Sequence, residues 1–88
     1  MEILIAFDTT TDAIGAENAL IESNIPVKVM NIPSSIKAGC GICLRVAPQD
    51  FPRAAAALEE KRLPAAGCYT RIVENGKSQY TPYEENPT

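Results

Sequence analysis

The sequence predicts an α+β domain, with two helices packed on one face of a single antiparallel sheet. Three observations predict it. Short apolar runs alternate with two stretches of helical periodicity, in the order strand, helix, strand, strand, helix, strand. Two helices are too few to cover both faces of a sheet. The length, 88 residues, suits one small domain whose core rests on Ile, Val, Leu and Ala, since there is no Trp.

Residues 2–7 (EILIAF) are almost wholly apolar, as suits a central strand buried on both sides. Thr9 and Asp12 have the spacing of a capping box, with a shorter acid than usual, so a helix is expected over 10–23. On a wheel of 100° per residue, Ala13, Ile14, Ala16, Leu20 and Ile21 share one arc, and Asp12, Gly15, Asn18, Glu22 and Ser23 the other. Glu17 falls inside the apolar arc. Either it bends outward at the edge of the core, or its carboxylate is buried with a partner, because an unpaired one is costly. Arg45 and the amides of the cysteine loop are the candidate partners.

Pro26 ends the helix. Residues 27–32 (VKVMNI) alternate and predict a second strand, and "PSSIKAGCG" is a loop. Residues 42–47 (ICLRVA) alternate again, with Ile42, Leu44 and Val46 on one face and Cys43, Arg45 and Ala47 on the other. Asp50 is placed to cap a second helix, with Pro52 in its first turn. Phe51, Ala54, Ala55 and Leu58 form its apolar stripe, and Lys61 and Arg62 suit the dipole in its last turn. Residues 67–73 (GCYTRIV) predict a fourth strand. Asn75-Gly76 signals a turn into a short hairpin arm, and "TPYEENPT" reads as a disordered tail. One compact domain is thus expected over 1–74, with arm and tail over 75–88. The order βαββαβ with both helices on one face is the ferredoxin-like two-layer sandwich, a four-stranded sheet in the order 4-1-3-2. The alternative, a small three-layer α/β fold, needs more helices.

Composition excludes several functions. Eight basic side chains against eleven acidic ones argue against nucleic acid as the main ligand. No apolar run approaches the roughly 20 residues of a membrane span. "EILIAF" is too short for a signal-peptide core and is followed by Asp8. A cytoplasmic location is expected. There is no cofactor fingerprint.

Three cysteines and no histidine are present. An odd number argues against a secreted disulfide framework, and in a reducing cytosol the pair Cys40-x-x-Cys43 reads as a redox, metal or sulfur site. In the order 4-1-3-2 the third strand begins where the first ends. The Cys40 loop is therefore expected beside the helix start at Thr9, Thr10 and Thr11, with Cys68 nearby. Amides at a helix start favour an anion, whether thiolate or persulfide. Gly39 and Gly41 let the chain turn and let another molecule approach. Arg45 shares a strand face with Cys43, where its charge favours a thiolate. Cys40 is the expected exposed, reactive thiol, and Cys43 a resolving or assisting one. Cys68 reads as a small buried hydrophobe. Two other readings stay open. Cys40 and Cys43 together suit a soft cation such as copper or zinc, as in chaperone-like modules, although zinc usually takes four ligands. Alternatively the domain is a plain interaction module, whose uncovered sheet face, with Met30, Tyr69 and Val73, pairs it into a homodimer.

From about Ile3 to Ile72 the chain resembles the selenium/sulfur carrier-like family of small bacterial and archaeal proteins. The segment "IAFDTTTDAIGAENAL" is similar to that family's first motif at Phe7, Thr9, Thr10, Ala16 and Glu17. The segment "IPSSIKAGCGICLRV" is similar to its second at Pro33, Ile36, Cys40, Gly41, Leu44 and Arg45. The resemblance implies that Cys40 carries sulfur or selenium between a donor enzyme and an acceptor protein, and that Glu17 and Arg45 shape the site. A carrier of this kind is a protein substrate more than a stand-alone enzyme. Ser34 and Ser35 stand where the family tends to have Arg and Glu, Val46 where an aromatic is common, and Cys43 is an addition to the Cys-Gly pattern.

Overall fold

A computed structural model describes residues 1–36, 40–63 and 65–83. Strand β1 (Glu2–Ala6) leads into helix α1 (Thr10–Glu22), followed by β2 (Lys28–Asn31) and β3 (Ile42–Val46). A 3₁₀ turn, Pro48–Asp50, opens α2 (Phe51–Glu60), and β4 (Gly67–Glu74) and β5 (Lys77–Pro82) close the sheet. The strand order is β2-β3-β1-β4-β5, and every neighbouring pair is antiparallel. The most apolar strand, β1, lies at the centre, as its composition requires.

The expected four-stranded sheet is corrected to five strands. Asn75 (φ 52°) and Gly76 (φ 77°) both take the left-handed conformation of a tight hairpin turn. From there β5 pairs along β4, from Glu74↔Lys77 to Tyr69↔Pro82. The sequence signalled the turn and a short arm but not a full sheet strand, because KSQYTP is exposed at all but Tyr80 and carries little apolar alternation. The tail expected from Thr81 is also corrected. Thr81 and Pro82 lie in β5, and the Tyr83 amide donates to the Cys68 carbonyl at 2.8 Å. The Tyr83 ring meets Phe51 edge-on, with centroids 5.1 Å apart. The rest of the expected tail, 84–88, lies outside the described residues.

Both helices pack on the same face. Ile3, Ile5 and Phe7 from the first strand and its end, with Leu44 and Val46 from β3, meet Ala13, Ala16 and Leu20 of α1 and Phe51, Ala54 and Leu58 of α2. The helical wheel needs one correction: Ile14 and Ile21 are exposed. The small residues Ala13, Ala16 and Ala19 set α1 close to its neighbours, so the buried stripe is Ala13, Ala16, Ala19 and Leu20. The isoleucines fall on its flank. Asp50 does not cap α2 with its side chain; the 3₁₀ turn supplies the start, and the carboxylate sits 3.6 Å from Arg53. α2 ends at Glu60, so Lys61 and Arg62 lie just past it, Arg62 at φ 57°.

The other sheet face has no helix, yet it is not bare. Leu4, Cys43 and Ile36 are buried there, flanked by half-buried Met30, Ile32, Tyr69 and Tyr80. Ile36 comes from the loop after β2. Val73, expected in this patch, is 55% exposed. Among the described residues, no helix is long and apolar enough to cross a membrane.

Candidate functional site

The end of β1 is where the cysteines converge. Ala6 faces Cys43 on β3, and Ile5 faces Cys68 on β4. The Cys40 amide donates to the Phe7 carbonyl at 2.9 Å, two residues before Thr9, the N-cap of α1. Thr9 Oγ1 in turn accepts from the Asp12 amide at 3.0 Å, the bond expected of a cap. Thr10 is the first helical residue and is exposed. The base of the cysteine loop is closed by the Ile32 amide, which donates to the Gly41 carbonyl at 2.9 Å. Gly41 has φ 103°, and a Cβ there would meet nothing within 4 Å. Backbone conformation, not space, is what asks for glycine at 41. Gly39 lies outside the described residues.

Cys40 is half-buried, whereas the sequence led to an exposed thiol. Its bond to Phe7 draws it over the end of the strand, where it packs against the main core. Its S–H donates to the Ile42 carbonyl over a long 3.9 Å. Cys43 is fully buried on the opposite, helix-free face. Burial, and then the neighbouring Cys40, push its thiol up to about 11. Cys43 therefore stays protonated at neutral pH. Two cysteines three residues apart thus pack against different clusters, one on each side of the sheet. No disulfide joins the described cysteines. Cys68 lines an apolar cleft of about 400 Å³ between α2 and β4, with Phe51, Leu58 and Leu63. Among the described residues, no group of three or more His, Cys, Asp or Glu could hold a metal ion.

Arg45 shares the Cys43 face but is engaged elsewhere. Its Nε lies 3.2 Å from Glu2 Oε2, and Arg71 Nη1 lies 2.6 Å from Glu2 Oε1. The bond to Glu2, and then one to Tyr80, raise Arg71 above its ordinary value, so it is charged at any working pH. Glu17 is half-buried, and its side chain has no ion pair or hydrogen bond among the described residues; Arg45, one of its candidate partners, pairs with Glu2. Sequence reasoning missed Glu2, Arg71 and Tyr80. The register Glu2↔Arg71 is the signal that finds the charged pair, and it becomes visible only once β1 and β4 are aligned.

No curated protein matches the chain. Among solved structures, that of a functionally unknown protein from Pediococcus pentosaceus is similar, at 9% identity and a TM-score of 0.47, covering 93% of this chain and 82% of that one. The model of the family described as "Putative Se/S carrier protein-like" matches residues 2–70, which hold the Thr9 cap and all three cysteines, and the chain belongs to that family.

Proposed function

We propose that the protein carries sulfur or selenium on Cys40. The observation that carries this reading is the placement of Cys40. It is a half-buried thiol in a loop bound to the end of β1, two residues before the cap of α1, beside a glycine whose backbone no other residue adopts easily. The family gives the cargo class. For sulfur, the Cys40 thiolate attacks the outer sulfur of a persulfide on a donor enzyme. A bond forms between Cys40 Sγ and that sulfur, the donor's S–S bond breaks, and the donor thiolate leaves with the electron pair. No net oxidation occurs. The helix N-terminus beside the loop favours the anionic persulfide that results. Delivery repeats the exchange on a thiolate of the acceptor protein, in a reducing compartment such as the cytoplasm.

Cys43 is the resolving thiol in this reading, and it is held in reserve. Attack by Cys43 on Cys40 Sγ would release hydrosulfide and leave a Cys40–Cys43 disulfide, which a thiol reductant must reopen. Burial and a raised pKa stop that step while the fold is closed. The test is intact-mass analysis after incubation with a cysteine desulfurase and cysteine. Wild type and Cys43→Ala should gain one sulfur, and Cys40→Ala should gain none. A wild-type protein that gains nothing rejects the reading.

A further inference from the structure

We propose that the helix-free face of the sheet is a docking surface for an acidic segment of a partner protein, anchored on Arg45 and Arg71. The sheet register sets Lys28 opposite Arg45, and Arg71 opposite both Glu2 and Tyr80. Among the described residues, the strands of this face thus hold three cations against one carboxylate, in a chain whose formal net charge is −3. Glu2 gives one carboxylate oxygen to each arginine, so a single acid fixes two guanidiniums. Arg45 spends only its Nε on that pair, leaving the forked end without an ion pair among the described residues. Such a fork is suited to a carboxylate.

The surroundings point to a protein partner. Met30, Tyr69 and Tyr80 are half-buried beside the arginines. Arg, Tyr and Met are the residue types enriched in interface cores. A second copy of this chain would set cations against cations, and phosphate polymers would meet an acidic molecule everywhere else. The arginines sit at the Glu2 end of β1, and the Cys40 loop is bonded beyond its other end, at Phe7. At about 3.3 Å per residue that separation is roughly 17 Å along the strand, and Cys40 packs on the helix-covered side of the sheet, so the docking face and the thiol are separate surfaces. The surface does not depend on sulfur transfer, and its test reads binding alone.

The probe is a synthetic peptide of alternating Glu and Leu, titrated into isotope-labelled protein at low salt and followed by amide and arginine side-chain NMR shifts. Shifts should map to Lys28, Arg45, Arg71 and Tyr80 and weaken as salt rises. Affinity should fall about 10-fold in an Arg45→Gln, Arg71→Gln double variant, and a few-fold in Lys28→Gln, whose exposed side chain the fold does not need. Arg53→Gln and Lys61→Gln, off this face, should bind like wild type. Unchanged affinity in Lys28→Gln and in a folded double variant overturns the proposal. So does displacement of the peptide by equimolar inorganic phosphate, which marks a small-anion site, or a wild-type dimer that protects this face.

Discussion

The burial of Cys43 makes a kinetic prediction that can be worked through. Lifting its pKa from 9.0 to about 11 lowers the thiolate fraction roughly 100-fold at any pH below about 9. The more basic thiolate is a better nucleophile, by about 8-fold for a Brønsted slope near 0.45. Ionisation alone would slow a thiol attacked within the closed fold about 10-fold. Access governs instead, because Cys43 is 0% exposed and a reagent reaches it only through a local opening, in which the thiol regains its ordinary acidity. An opening that costs about 2 kcal/mol slows the reaction about 30-fold. In a Cys40→Ser, Cys68→Ser background, Cys43 should react with a disulfide reagent at pH 7.5 about 30-fold more slowly in the native protein than in urea. The assay is the absorbance of the released thione, with peptide mass mapping. Native and unfolded rates within a few-fold of each other would refute the burial argument. The same shift sets a pH dependence. The folded pKa is raised, so the folded state holds the proton more tightly, and stability falls as pH rises from 9 toward 11. The expected loss is on the order of 2 kcal/mol, and Cys43→Ala should remove it.

Thr9→Ala removes the cap of α1 and should cost about 1 kcal/mol, a fall in Tm of roughly 4–8 °C for a domain of this size. Gly41→Ala meets no steric contact but must hold φ 103°, so about 1–3 kcal/mol of strain is expected in denaturant melts, with slower sulfur loading of Cys40. Leu44→Ala opens a cavity beneath both helices and should cost about 2–5 kcal/mol by urea unfolding.

Much of this was legible in the sequence, and the misses have physical causes. The alternation of ICLRVA placed Leu44 and Val46 toward the helices and Cys43 and Arg45 away from them, because a strand has period two. The antiparallel β1–β3 pair implied by the strand order brings the Cys40 amide to the Phe7 carbonyl, at the end of β1 and two residues before the Thr9 cap. Strand β5 was expected only as a short hairpin arm after Asn75-Gly76, because an edge strand exposed at all but Tyr80 leaves little apolar pattern. Ile14 and Ile21 were misplaced because a wheel ranks residues by polarity, whereas packing chose the alanines that let elements approach. The engagement of Arg45 by Glu2 depends on register between distant strands, which local spacing does not encode. The half-burial of Cys40 follows from one long-range hydrogen bond to Phe7, equally invisible to a motif.

The most direct test of the carrier reading is to locate the transferred sulfur atom. After loading by a desulfurase and mild alkylation, the tryptic peptide 38–45 (AGCGICLR) carries both Cys40 and Cys43. Backbone fragmentation between them assigns the extra mass. Sulfur on Cys40, with unmodified Cys43 and Cys68, is the predicted result. Sulfur on Cys43 or Cys68 while Cys40 stays bare would contradict it.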